Sequence, residues 1–252
     1  MFHSYKFYIL LLIIFGFIYC FLTPLYQIPD ELHHVFRAIQ LSEGVLIGTK
    51  NEKTSGGMIP TIASNDFNYQ LSLFSHFQKL SFKEYFTTLV IPSGHKFTKE
   101  NFKNRQYEQF SGSVLYSPIN YIPQVLSIWM GKLFSLNTYH VIYLGRILNF
   151  FLSMLLIFFA MNKLRFSNRY TLIIFIIAGL PCSLQLLSSL SPDAITISLA
   201  ILNTSLIMSY YQFNCKNDLY LFVLTATLLG LCKFLYLIIP LGIIPALYLY
   251  KV

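Results

Sequence analysis

The chain has 252 residues, of which 55% are hydrophobic, 17% aromatic and only 11% charged. Soluble domains carry about a quarter charged residues, so this composition excludes an ordinary soluble protein and indicates a lipid bilayer as the solvent. The formal net charge is +8. Because the basic residues neither cluster nor alternate with exposed aromatic residues, no nucleic-acid partner is expected.

Apolar stretches long enough to cross a hydrocarbon core of about 30 Å recur along the chain. Four of them predict one crossing each, and the fifth is long enough for two: Phe7 to Leu25, Tyr139 to Met161, Tyr170 to Leu187, Ala194 to Tyr211 and Leu219 to Tyr250. The first is predicted to remain as a signal anchor, because its apolar run exceeds that of a signal peptide and no small-residue cleavage site follows. We therefore predict an all-α integral membrane protein with about six transmembrane helices.

Basic residues predict the orientation of these spans, because short cytoplasmic connections carry an excess of Lys and Arg. The relevant residues lie before, between and after the spans: Lys6, Lys163, Arg165, Arg169, Lys216 and Lys251. They share one side only if the apolar segment Tyr121 to Leu136 does not span, so we predict an interfacial or re-entrant helix there. The amino terminus is then cytoplasmic, and the chain divides into a first span (1–25), an outer loop (26–138) and a transmembrane bundle (139–252).

The outer loop has no repeat or low-complexity tract. Its many aromatic residues predict short helices that lie on the membrane or pack on the bundle: Phe67, Tyr69, Phe74, Phe77, Phe82, Tyr85 and Phe86. Gly56-Gly57 and Pro92-Ser-Gly94 are typical of turns.

Directly after the first span comes the stretch that is richest in chemically active side chains, Gln27 to Gln40. A helix beginning near Pro29 would present Asp30, His34 and Arg37 on one face, at positions i, i+4 and i+7. A carboxylate and an imidazole are suited to acid–base chemistry, and a guanidinium stabilises charge on a phosphate leaving group. An ordinary solvated interfacial helix explains the same spacing. Asp30 and His34 are also compatible with a divalent cation, although the chain has no established metal motif.

Three further charged residues lie in or beside the predicted spans, where charges are rare and often functional. Asp193 is expected at the outer mouth of the third and fourth spans, either as a helix N-cap or as a second site carboxylate. Lys233 is expected near the outer surface, where it either extends to the headgroups or anchors a lipid-linked phosphate. Arg146 is a weaker candidate of the same kind.

Four short motifs occur in order: Pro29-Asp30-Glu31-x-x-His34-x-x-Arg37-Ala, Tyr116-x-Pro118-x-x-Tyr121, Gly145-Arg146-x-x-Asn149 and Ser191-Pro-Asp193. Together they resemble a large family of bacterial predicted membrane proteins of unknown function. That family in turn is similar to the GT-C-type glycosyltransferases, including the aminoarabinose and protein-mannosyl transferases.

This resemblance implies a GT-C-like helical bundle in the bacterial cytoplasmic membrane, and a role in cell-envelope polysaccharide biosynthesis. It implies transfer of a sugar from a polyprenyl-phosphate donor to a glycan or lipid acceptor on the outer side. The resemblance matches Asp30 to the catalytic acidic residue of the first outer loop, Asp193 to the acidic residue of the second, and Lys233 to a basic residue near the donor phosphate. We predict Asp30 as the general base, with Glu31 or His34 orienting it or the acceptor. The predicted substrate-binding residues are Arg37, Tyr116, Tyr121, Arg146, Asp193 and Lys233. No cofactor is assigned, and a divalent cation at Asp30 and His34 stays open.

Two further expectations accompany this assignment. GT-C proteins commonly have more spans, so a chain that stops at Val252 is expected to be a truncated or split member. The competing function is a non-enzymatic transporter, flippase or assembly partner for lipid-linked saccharides.

Overall fold

A computed structural model describes residues 4–26, 28–51, 54–61, 63–66, 83, 94–98 and 101–242. The described elements are mostly helical, as predicted. We number the helices α1 Ser4–Leu22, α2 Glu31–Ser42, α3 Ser111–Val114, α4 Ile122–Phe134, α5 Thr138–Lys163, α6 Asn168–Gly179, α7 Pro181–Leu187, α8 Asp193–Phe213 and α9 Lys216–Cys232. Short 3₁₀ helices cover Pro118–Tyr121 and Phe234–Leu237.

Within this described part, three helices are long and apolar enough to cross a membrane: α1, α5 and α8. A fourth crossing results if α6 and α7 count as one broken span. The predicted crossing from Tyr170 to Leu187 thus consists of two helices, α6 and α7, which meet at an angle of 73°. Leu180 has an extended backbone and Pro181 follows it, so the helical hydrogen-bond ladder is interrupted there.

The bundle has two ends, which are identified by the helices that begin or finish there. At one end, the Tyr5 hydroxyl donates to Asn162 at 3.4 Å, and the ring of Phe166 lies 5.1 Å from that of Phe213. We call this the Lys163 end, since α5 finishes there. At the other end α1 finishes and α2 begins, and α5 with its 26 residues separates the two ends by about 39 Å.

Helix α4 covers most of the segment that we predicted as interfacial. It has 13 residues, about 20 Å, which is too short for a straight crossing. One face packs on α5 and α2, where Gly131 leaves room for Val141. Large apolar side chains on the other face remain exposed, including Trp129 and Leu133.

The segment 26–138 contains a small antiparallel sheet that the sequence did not predict. Its strands are β1 Thr49–Lys50, β2 Ser55–Pro60 and β3 Arg105–Gln109, in the order β1–β2–β3. The interpretation of Gly56-Gly57 as a turn is wrong, since both glycines lie within β2. A Cβ atom on Gly56 would approach the carbonyl oxygen of Glu108 to 1.9 Å, so the close pairing with β3 requires glycine.

A buried carboxylate ties part of this loop to the bundle. Asp66 accepts hydrogen bonds from the backbone and ring of His95 at 2.9 and 2.8 Å, and from the Thr138 hydroxyl at 2.9 Å. The aromatic run from Phe67 to Phe86, the turn at Pro92-Ser93 and the end of the fifth apolar region lie outside the described residues.

Candidate functional site

Arg146 of α5 and Glu31 of α2 form an ion pair in which both side chains are fully buried. The Arg146 Nε and Nη2 atoms donate to the two Glu31 carboxylate oxygens at 2.8 and 2.6 Å. The remaining N–H groups donate to the carbonyl oxygens of Cys20, Thr23 and Pro24, at the end of α1. All five guanidinium donors are therefore used within the protein.

The Glu31 carboxylate is equally saturated. It also accepts from the backbone N–H groups of Tyr26 at 2.9 Å and Leu190 at 3.3 Å. The pair therefore joins the end of α1, the start of α2, the middle of α5 and the loop before α8. The polar atoms of Glu31 and Arg146 thus all have partners within the protein, and the pair supports the backbone around it.

Asp30, by contrast, faces solvent. Its side chain is 72% exposed and lies 3.7 Å from His33. The helix begins at Glu31, two residues after Pro29, and Asp30 precedes it with a left-handed backbone at φ 60°. Asp tolerates this conformation at a cost of about 1–2 kcal/mol. The buried Glu31 and the exposed Asp30 thus take opposite positions although they are adjacent in the chain.

His34 is buried and contacts two tyrosines. Its Nδ1 atom lies 2.9 Å from the hydroxyl of Tyr121, and its ring meets that of Tyr116 edge-on with the centroids 5.6 Å apart. Burial lowers the pKa of His34 to about 4, although the charges of Asp193 and Asp30 act in the opposite direction. His34 is therefore neutral at neutral pH.

Arg37 does not join this group. Its guanidinium donates to the Gln40 side chain and, at 2.7 Å, to the carbonyl oxygen of Leu46. The predicted common face of Asp30, His34 and Arg37 is therefore wrong, because Asp30 lies outside the helix and Arg37 turns toward the segment after α2. Burial lowers the pKa of Arg37, and its Nε atom has no partner within the part of the chain that is described.

Asp193 and Lys233 form an ion pair of 2.5 Å at the same end of the bundle, with 29% and 28% of their side chains exposed. Asp193 is the first residue of α8 and makes no capping hydrogen bond through its side chain, so the N-cap interpretation is wrong. Lys233 follows α9 directly. Burial lowers the pKa of Lys233, but Asp193 and Tyr116 outweigh that effect and raise it.

Tyr116 connects this ion pair with His34. The Lys233 ammonium lies over the Tyr116 ring, 4.7 Å from the ring centroid. The Tyr116 ring also meets the Tyr121 ring edge-on. The 3₁₀ helix Pro118–Tyr121 packs against α2, α8 and α9, which brings these residues together. We call the resulting group the polar cluster: Asp30, His34, Tyr116, Tyr121, Asp193 and Lys233.

Residues 12–251 match the family described as predicted membrane protein (DUF2142). The chain belongs to this family. No curated protein and no solved structure matches it. The predicted resemblance to a family of membrane proteins of unknown function is thereby confirmed, and its further link to GT-C glycosyltransferases stays a prediction.

Three residues that the sequence did not single out for the site lie beside the polar cluster in this family member. Asn149 holds the loop before α8 by donating to the carbonyl oxygens of Ser189 and Ser191 at 2.7 and 3.0 Å. Tyr236 lies 5.7 Å from the Lys233 ammonium. Asn120 is fully buried and its amide has no partner among the described residues. Asn149 is a named position of the third motif, which was the available signal, whereas Asn120 occupies an unspecified position of the second motif.

The option of a divalent cation at Asp30 and His34 finds no cluster to support it. The described residues contain no group of three or more His, Cys, Asp or Glu side chains that could hold a metal ion. His34 instead directs its Nδ1 atom to Tyr121.

Proposed function

We propose that the protein is a membrane glycosyltransferase that takes a sugar from a polyprenyl-phosphate donor and transfers it to a cell-envelope glycan or lipid. The observation that carries this proposal is the composition of the polar cluster. An exposed carboxylate, Asp30, lies at the same end of an apolar bundle as a half-exposed cation, Lys233. A lipid-linked phosphate has its apolar chain in the bilayer and its charge at such an end.

In the proposed reaction, Asp30 accepts the proton of the acceptor hydroxyl. The acceptor oxygen bonds to the anomeric carbon of the sugar, and the bond from that carbon to the phosphate oxygen breaks. Polyprenyl phosphate leaves, and Lys233 compensates the charge on its phosphate oxygens. Asp193 keeps Lys233 in place between turnovers, and the donor phosphate competes with Asp193 for Lys233 when it binds.

The remaining predicted site residues take revised roles in this proposal. Neutral His34, with Tyr116 and Tyr121, forms the wall behind Asp30 and Lys233. Aromatic rings of this kind suit contact with a sugar and orient the two charged groups. Glu31 and Arg146 fix the backbone on either side of Asp30 and ahead of Asp193, and Arg37 fixes the segment after α2.

The proposal also includes an orientation. Helices α1, α5, the α6–α7 pair, α8 and α9 run alternately between the two ends, and we propose that a further segment beyond Lys233 completes six crossings. The basic Lys163 end then faces the cytoplasm and the polar cluster faces outward. The amino terminus is cytoplasmic, in a bacterial cytoplasmic membrane.

Membranes that contain the protein, supplied with radiolabelled polyprenyl-phosphate sugar, test this proposal. We expect a labelled glycan or lipid product, and a loss of at least about a hundredfold in Asp30→Asn, because general-base catalysis contributes that much. Glu43→Gln is the matched control. Glu43 is the residue directly after α2, just as Asp30 is the residue directly before it, and Glu43 pairs with Arg105. Unchanged transfer by Asp30→Asn would remove Asp30 from the mechanism.

A transporter or flippase is the second candidate, and the bend between α6 and α7 favours it, since transporters often place substrates at discontinuous helices. The residues at the bend, Leu180 to Ser183, carry no charge, whereas the charged groups gather at the end of the bundle. We therefore prefer the enzyme. Movement of a lipid-linked saccharide across vesicle membranes without bond formation would reverse this preference.

A further inference from the structure

A polar pocket of about 560 Å³ opens at the Lys163 end, far from the polar cluster. Its walls come from the end of α5, the connection to α6, and the facing ends of α8 and α9. Lys163 lies 2.5 Å from Asp218, whose second carboxylate oxygen accepts from the Ser209 hydroxyl at 2.7 Å. Among the described residues that line the pocket, Asp218 is the one carboxylate, and Lys163 already neutralises it.

Arg165 supplies an uncompensated positive charge to the same pocket. It is exposed, and its side-chain contact is with the neutral Asn162 at 3.5 Å. No carboxylate among the described residues lies within ion-pair distance of it. Exposed Arg169 and Lys216 add positive charge at this end of the bundle. The pocket is thus suited to an anion.

A separate apolar groove of about 360 Å³ lies beside this pocket. It runs between α6 and α8, past Ile173, Ile177 and Ala200. Three residues that line the pocket each have a neighbour that lines the groove. Lys163 is adjacent in the chain to Leu164, and Ser209 is adjacent to Met208. The ring of Phe166 lies 5.9 Å from that of Tyr170. A positively charged pocket and an apolar groove therefore lie next to each other at this end of the bundle.

We propose that these two cavities bind one glycerophospholipid with an anionic headgroup. Its phosphate contacts Arg165 in the pocket, and one acyl chain lies in the groove between α6 and α8. The positive charge selects an anionic headgroup, and the adjoining apolar groove selects a lipid over a free anion. This site lies at the opposite end from the polar cluster and does not depend on the proposed function.

Lipid titrations of the purified full chain in detergent, read by native mass spectrometry, test the headgroup. We expect phosphatidylglycerol to bind more tightly than phosphatidylcholine of the same chains. Arg165→Ala should weaken phosphatidylglycerol binding about tenfold, the loss of one charged hydrogen bond, and leave phosphatidylcholine binding unchanged. Lys6→Ala is the matched control, because it removes an exposed cation from α1, which lines neither cavity.

A second variant tests the groove. Ala200→Phe places a large ring between α6 and α8 and should weaken the binding of both lipids, while soluble glycerol 1-phosphate should not bind the wild-type protein at the same concentrations. Equal affinity of the wild type for both lipids would overturn the proposal, as would equal losses in Arg165→Ala and Lys6→Ala. The headgroup test therefore holds even if Ala200→Phe fails to fold, since Arg165 and Lys6 are exposed and their substitution leaves the packing intact. Tight binding of glycerol 1-phosphate would overturn the lipid assignment.

Discussion

Glu31 and Arg146 lie 115 positions apart in the chain and exchange two short hydrogen bonds in a fully buried site. Burying two charges is costly, and it is sustained only when the pair is closely matched and further hydrogen bonds satisfy the remaining atoms. Here three carbonyl groups and two backbone N–H groups complete the set. The pair therefore orients the two segments that present Asp30 and Asp193.

Removal of one partner should destabilise the protein strongly. Arg146→Gln leaves the Glu31 carboxylate buried without a cation, and we expect a loss of about 3–5 kcal/mol. Arg105→Gln is the control, because Arg105 pairs with Glu43 at the surface, where such pairs contribute about 0–1 kcal/mol. Thermal unfolding in detergent measures both. Similar unfolding temperatures for the two variants would contradict the supporting role of Arg146.

The low pKa of His34 makes a second prediction at this scale. The unfolded chain takes up a proton at His34 near pH 6.5, whereas the folded protein resists protonation until about pH 4. Stability should therefore fall as the pH is lowered from 6.5 to 4, by up to about 3 kcal/mol from this residue. His34→Gln should flatten this part of the curve of stability against pH.

The matched substitution is His140→Gln, at an exposed histidine of α5. Unfolding midpoints are compared for each variant at pH 7 and pH 4.5. If His34→Gln retains the full pH dependence of the wild type, the contact of neutral His34 with Tyr121 does not govern stability in this range.

At the scale of single elements, the apolar runs predicted helices well, because a span must satisfy its own backbone hydrogen bonds and therefore must be helical. The sheet escaped prediction for the opposite reason. Its strands have two to six residues, and Gly56-Gly57 reads locally as a turn. Glycine is needed in β2 because β3, about 50 residues later in the chain, approaches it closely. The local sequence around Gly56 does not reveal this pairing partner.

Gly56→Ala tests this explanation. The new Cβ atom would meet the Glu108 carbonyl, so the β2–β3 pairing should lose about 1–3 kcal/mol of local stability. Hydrogen exchange of peptides that cover β2 and β3 should become roughly 5- to 150-fold faster. Gly112→Ala is the control, since a Cβ atom there meets nothing within 4 Å. Unchanged exchange in Gly56→Ala would show that the pairing tolerates a side chain.

At the scale of the whole molecule, the sequence alone predicted which charged residues share an end of the bundle. Charge placement required α4 not to cross, and the structure gives α4 only 13 residues. If α4 does not cross, Asp30, Asp193 and Lys233 lie at the same end of the bundle. The sequence did not predict which of them pair, because Asp193 with Lys233 and Glu31 with Arg146 depend on how helices pack and not on their spacing.

In the proposed orientation, the polar cluster faces the outer side of the membrane and the Lys163 end faces the cytoplasm. Two matched variants in a cysteine-free background test it: Asn51→Cys beside the sheet and Asn168→Cys at the start of α6, both at exposed positions. A membrane-impermeant thiol reagent should label Asn51→Cys in intact cells and should reach Asn168→Cys only after the membrane is permeabilised. Labelling of Asn168→Cys in intact cells, with protection of Asn51→Cys, would contradict both the orientation and the proposed outward-facing site.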